Sequence, residues 1–144
     1  MPRTLITRAV ASTLALHNRP DETVDILLTN DDEIRELNQR YRKVDEATDV
    51  LSFPGGDYPN APLGDIAISV PYADRQATAR GVSLSSELAF LAIHGTLHLL
   101  GFEDEKDEER AEMIREMNRA AIAAGLKPDH DWASLLHDLE GETA

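Results

Sequence analysis

Two of the five histidines in this 144-residue chain, His94 and His98, stand four apart in the run HGTLHLLGFED at 94–104. On a helix, that spacing puts two imidazoles one turn apart on the same face. Rings so placed can share one zinc ion at ~2.0–2.1 Å each. Gly101 then lets the chain leave the helix and reverse, because glycine accepts left-handed backbone angles at little cost. An acid three residues further on can swing back under the histidines as third ligand. Asp104 has that offset, but Glu103 and Glu105 flank it and spacing alone does not separate the three. Three protein ligands leave coordination positions open, so such an ion can polarise a phosphoryl or carbonyl oxygen and lower the pKa of bound water.

A similar spacing occurs in metzincin proteases, where a glutamate after the first histidine is the general base. Here that residue is Gly95, which cannot move protons, so a metallopeptidase-like reading lacks its base. No other general base is legible; Asp65 is a weak candidate. Two further clusters bear on chemistry. Between Arg35 and Lys43 there are four bases and one acid, and guanidinium forks match phosphate oxygens. Asp49, in TDVLSFP, and Asp65, in LGDI, both fall at strand starts, where capping or turn hydrogen bonds are the ordinary role.

Elements must hold these residues. Apolar residues at helical spacing predict a helix over 4–17, and VDILLT at 24–29 reads as a strand. Asn30, Asp31 and Asp32 offer caps for a helix through Tyr41. Strands follow at 49–53 and 64–70. Pro71 opens a helix that ends at Gly81, and Ser83 or Ser85 caps the next, running to about Leu100. That helix is apolar on most sides, so it is expected to be the central buried one and to carry the metal. A charged helix follows from about Lys106 to Ala124, with Met113, Ile114, Met117 and Ile122 inward. The order predicts an α+β sandwich, a small mixed sheet packed by helices. A single domain over 1–144 is expected, with 127–144 as a peripheral tail and a short helix between Trp132 and Leu139. His17, His130 and His137 read as surface residues.

Composition narrows the classes. Hydrophobic residues at 42% and charged residues at 28% fit a globular protein, and no cysteine is present. Disulfides, thiolate metal sites and cysteine nucleophiles are excluded. No signal peptide or membrane span is visible, so a cytoplasmic protein without membrane contact is expected. Acids outnumber bases 27 to 14, a net charge of -13 that argues against a general nucleic-acid coat. The acid is concentrated after the metal segment, with eight acids and three bases from Glu103 to Glu116.

Taken together, LNQRYRKVDEATDVLSFP (37–54), LGDIAIS (63–69) and HGTLHLLGFED (94–104) resemble the YbeY family of bacterial rRNA maturation factors, over roughly residues 20–125. The resemblance implies a small α/β metallohydrolase fold with zinc in a cleft. It also implies a metal-dependent, single-strand-specific endoribonuclease acting on the 3′ end of small-subunit rRNA, with links to ribosome quality control. Partners would be single-stranded rRNA and the small subunit or its proteins. His94 and His98 then act as ligands and catalytic centre, with Asp104 as third metal ligand where the family has histidine. Aspartate leaves the ion a weaker Lewis acid and bears on metal preference. Arg42 matches the arginine that lines the family's cleft and is read as catalytic and substrate-binding, with Lys43 beside it. Family members begin with a strand before the first helix, whereas here the helix starts almost at Met1; that edge strand is expected to be absent or the start to be late. The other readings are a zinc metallopeptidase-like hydrolase and a non-catalytic ribosome-assembly factor with a structural metal.

Overall fold

The computed structural model describes residues 2–132. Helix α1 (Pro2–Leu16) leads to strand β1 (Val24–Thr29) and helix α2 (Asp31–Arg42). Strands β2 (Val50–Pro54) and β3 (Gly64–Ser69) follow, then helices α3 (Val70–Arg80), α4 (Leu84–Leu99) and α5 (Asp107–Ala123). The sheet order is β1-β3-β2, with β1 parallel and β2 antiparallel to β3. This is the α+β fold with a small mixed sheet that the order of hydrophobic periods predicts.

The element boundaries have local causes. The Asn30 side chain accepts from the Glu33 N–H at the start of α2, and Asp31, Asp32 and Glu33 fill its first turn, where the helix dipole favours acids. Ser83 caps α4 by accepting from the Ser86 N–H at 3.1 Å. Gly81 ends α3 at φ 71, as expected of a C-cap glycine.

The sheet separates two unequal apolar layers. Alternation along β3 sends Ile66 and Ile68 to one face, where they meet α1, α4 and α5 in the main core. Ala67 faces the other way and joins Leu51 of β2 and Ile34 of α2 in a small second cluster. Helix α4 is the central element, with Leu88, Leu91, Ile93 and Leu97 fully buried. On α5, Met113 and Met117 are buried as predicted, but Ile122 is 58% exposed. Five residues beyond Met117 is about 140° round the helix, and Ala120 and Ala121 hold the inward stripe instead.

Residues 127–132 are less peripheral than their composition suggests. The Asn118 side chain brackets Asp129, accepting from its N–H at 2.6 Å and donating to its carbonyl at 3.1 Å. Trp132 is buried against α4. The short helix expected up to Leu139, and His137, lie outside the described residues.

Candidate metal centre

His94 and His98 lie on the last two turns of α4, and their Nε2 atoms are 3.0 Å apart. Gly101 leaves the helix at φ +104 and the chain turns back as expected. Asp104 then presents Oδ2 at 3.5 Å from His94 Nε2 and 3.4 Å from His98 Nε2. Geometry therefore selects Asp104 over Glu103 and Glu105. The three donors form a triangle with edges of 3.0, 3.5 and 3.4 Å. A regular tetrahedron with bonds of ~2.05 Å has edges of about 3.3 Å, so the triangle has the size of one tetrahedral face. Among the described residues these are the only three His or acidic side chains grouped closely enough to hold an ion, which leaves the fourth vertex to water or substrate.

The donors are oriented from behind. His98 Nδ1 is 3.0 Å from the Phe102 carbonyl. A carbonyl can only accept, so Nδ1 carries a proton, and in the neutral imidazole this leaves the Nε2 lone pair for a metal. Burial disfavours the charged form of His98, but the hydrogen bond and charge of Asp104, with the Phe102 carbonyl and Glu103, outweigh it and raise the pKa above the ordinary histidine value. The loop carrying Asp104 is held by Arg110, whose guanidinium donates to the carbonyls of Asp104 and Glu105 at 3.3 and 2.7 Å.

His94 is packed on its inner side by Trp132, ring centroids 5.3 Å apart. The Trp132 indole N–H donates to buried Glu87 at 3.1 Å, and Arg80 joins Glu87 to Asp129. Glu87, Phe90 and His94 follow one another at i, i+3 and i+7, so one stripe of α4 carries the packing and the ligand. Burial pushes the Glu87 carboxyl up to about 7 while Arg80 and the Trp132 N–H pull it down. No motif spacing points to Glu87, Trp132 or Arg110; the one cue is an acid on an otherwise apolar helix.

Gly95 has a steric reason. A Cβ there would lie 2.9 Å from Ile66 Cδ1 and 3.0 Å from Ser52 Oγ. The Ser52 hydroxyl also donates to the Gly95 carbonyl at 3.2 Å, so β2 and α4 touch backbone to side chain. A protease-type glutamate at this position would force Ile66 and Ser52 to shift. Asp49, in turn, is buried and structural: it accepts from the Val50 N–H at 2.7 Å and from Gln76 at 3.4 Å.

Other expected site residues lie elsewhere. Asp65 is exposed and alternates with Ile66, so it faces away from α4 and the structure does not bring it to the histidines. Arg42 and Lys43 are exposed at the end of α2, on that same far face. Of the local bases, Arg35 pairs with Asp45 and Arg40 with Glu36. Among the described residues neither Arg42 nor Lys43 is in an ion pair, so the basic cluster reduces to these two. The start of α2 is tied to the Ser69 end of β3 through Asp31, and Tyr41 near its C-terminus meets Phe53 ring to ring. The C-terminal turns of α4 approach Ser52 and Gly64. Arg42 and the histidines therefore lie at the same end of the sheet, on opposite faces, with edge strand β2 between them. His130 is exposed as expected, but His17 is not a free surface residue. It stacks edge-on against Phe102 and lies 3.1 Å from Glu116, because the end of α1 packs beside α5.

Fold and site together define a small α+β protein with an open His–His–Asp centre at the end of its buried helix. The family model described as Endoribonuclease YbeY matches residues 3–124, and the chain belongs to that family. Curated relatives named Endoribonuclease YbeY include one from Helicobacter pylori (strain ATCC 700392 / 26695), 41% identical over 79% of this chain and 82% of its own. Those from Nautilia profundicola and Aquifex aeolicus are 46% and 43% identical, covering 68% and 78% of this chain and 74% of each relative. The solution structure of TM1509 from Thermotoga maritima matches with a TM-score of 0.60 at 28% identity, covering 83% of this chain and 78% of that one. These relatives support an endoribonuclease role, hence RNA as substrate. No helix among the described residues is long and apolar enough to cross a membrane.

Proposed function

We propose that the chain is a single-domain, metal-dependent endoribonuclease that hydrolyses single-stranded RNA in rRNA maturation and ribosome quality control, at the 3′ end of small-subunit rRNA, in the cytoplasm. The observation that carries the metal reading is the donor triangle, sized to a tetrahedral face and open on its fourth side. His94, His98 and Asp104 would hold a zinc-class ion. When bound, that ion supplies Lewis acidity toward a phosphate oxygen and acidifies a coordinated water.

The protein's own groups do the remaining work. Trp132 and the Phe102 carbonyl hold the two imidazoles in ligating orientation. The half-exposed Asp104 keeps the outer side of the site wet and anionic, and Asp in place of a third histidine favours a harder ion than an all-histidine set. Arg42 and Lys43 offer two unpaired cations at the same end of the sheet. An RNA strand crossing the edge of β2 would meet them on one face and the histidines on the other. Guanidinium contact there neutralises phosphate charge on the strand that leads to the cut bond. With a net charge of -13, contact with bare RNA is expected to be weak and salt-sensitive, so a ribosomal small-subunit or protein context supports binding.

Metal content of the purified protein beside its His94→Ala form, with cleavage of a labelled single-stranded RNA by both, tests this reading. Loss of metal and cleavage together is expected. Equal metal in the two forms would remove the site assignment, and unchanged cleavage without metal would remove the mechanism.

A further inference from the structure

The open face of the sheet, on the far side from the histidines, carries a groove of about 370 Å³ that the metal chemistry does not use. Its walls are Leu27, Leu37, Tyr41 and Phe53, and its acids are Asp25 and Asp65. Tyr41 is 60% exposed and Leu27 48%, which is unusual for large apolar side chains side by side. Tyr41 meets Phe53 edge to face at 5.2 Å, so the aromatic wall is braced rather than free.

The register fixes how the polar groups sit. Asp65 on β3 is the cross-strand partner of Asp25 on one side and of Phe53 on the other. The three side chains therefore form a row on one face, with strands ~4.8 Å apart. Two carboxylates directly opposite one another repel, which costs stability on a sheet. The row presents hydrogen-bond acceptors and no donor, beside an aromatic wall. Just beyond Tyr41 come Arg42 and Lys43, two cations in no ion pair among the described residues.

We propose that this groove is a nucleobase subsite for single-stranded RNA, selecting a base whose edge donates hydrogens: guanine above all, then cytosine or adenine, over uracil. It rests on the reading that RNA is the substrate. The base stacks on the exposed Tyr41 ring, which Phe53 braces edge-on, and gives its amino and imino hydrogens to Asp65, with Asp25 as second acceptor. Its phosphate lies over Arg42 and Lys43. Charge complementarity sets both ends of the nucleotide: acids meet the donating edge and bases meet the phosphate. The groove lies at the end of the sheet that carries the histidines, so a strand bound here continues over β2 toward the metal centre. A duplex cannot enter, since its base edges are already paired, which gives single-strand selectivity a physical cause.

The test is binding of short labelled single-stranded RNAs to full-length protein stripped of metal by a chelator, followed by anisotropy. The RNAs differ at one position, guanosine against inosine, which removes only the exocyclic amine, and cytidine against uridine. Wild type is expected to prefer guanosine about tenfold. Asp65→Asn should flatten that preference, with Asp25→Asn as the second variant should the first not fold. Tyr41→Ala should weaken every RNA roughly tenfold while keeping the preference. Unchanged binding in both Asp65→Asn and Tyr41→Ala overturns the subsite and leaves the groove to a protein segment. So does a guanosine preference that survives in Asp65→Asn and Asp25→Asn. His94→Ala separates the two readings: it should bind with the wild-type preference while failing to cleave. Metal-loaded wild type that discriminates but never cleaves defeats the proposed hydrolysis and not the subsite. Cleavage with no base preference in binding does the reverse.

Discussion

The two faces of the three-stranded sheet are packed very differently. On the α4 face, Ile66 and Ile68 lie under a helix whose Leu91, Ile93 and Leu97 are wholly buried, and the site is a rigid outgrowth of that core. On the α2 face, three residues, Ile34, Leu51 and Ala67, make the buried cluster, and Leu27 and Tyr41 stand exposed. The contrast fits what each face would hold under the proposed function. Ligand atoms must keep their positions to a fraction of an ångström, which packing on every side achieves. A surface that takes up a chain of RNA needs room, aromatic planes and unpaired charge instead.

Cavity formation gives the largest test of this contrast. Leu91→Ala is expected to cost about 4–5 kcal/mol, because the dense α4 layer cannot collapse, and Ile34→Ala only about 2 kcal/mol. Urea unfolding of both variants measures the difference; equal losses would mean that the two layers are equally tight. The next effect is a pH dependence on the α4 side, at Glu87. Glu87 binds its proton more tightly when folded, with its pKa raised from 4.5 to about 7. Its contribution is therefore fully present below about pH 4.5 and is lost as pH rises through about 7, on the order of 3 kcal/mol in all. Thermal midpoints of wild type should fall across that window relative to Glu87→Gln, and parallel curves would contradict it.

Gly95→Ala is smaller, about 1–3 kcal/mol from overpacking between α4 and the sheet. Adding Ile66→Val, which deletes the nearest atom, should recover part of that loss in a double-mutant cycle. Simple additivity would show that the approach of helix and sheet is not tight. The smallest stability effect is expected at Arg42→Ala, within about 0.5 kcal/mol, as for exposed positions generally. RNA turnover should nevertheless drop at unchanged metal content, and unaltered turnover would remove the α2 face from substrate handling.

The sequence is most readable where one residue type has one local use. His94, His98 and Gly101 lie as their spacing predicts, because a helix turn and a left-handed exit are local geometry. The VDILLT strand and the Asn30 cap are legible for the same reason. The choice of Asp104 over its neighbours is not local: it depends on a loop whose carbonyls Arg110 holds. Nor is the burial of Trp132, which needs Glu87 from a helix 45 residues earlier in the chain. The basic run around Arg42 overstates its free charge, since half of it is cancelled by Asp45 and Glu36. Asp65 does fall near the start of its strand as read, but as a candidate general base it is offered to the wrong face, because alternation tells inside from outside only once the neighbouring strands are known.

The seat of Gly95 against Ile66 and Ser52 also limits where this chain can go in sequence space. A protease-type site of this long form differs from this one at two positions, a glutamate in place of Gly95 and a histidine in place of Asp104. Here any side chain at position 95 pushes on Ile66 and Ser52 of the sheet. Ile66, Ser52 or the helix axis would have to change first, each at the expense of the packing that orients His94. The neighbouring chemistry is two letters away in the alphabet and several concerted steps away in the fold.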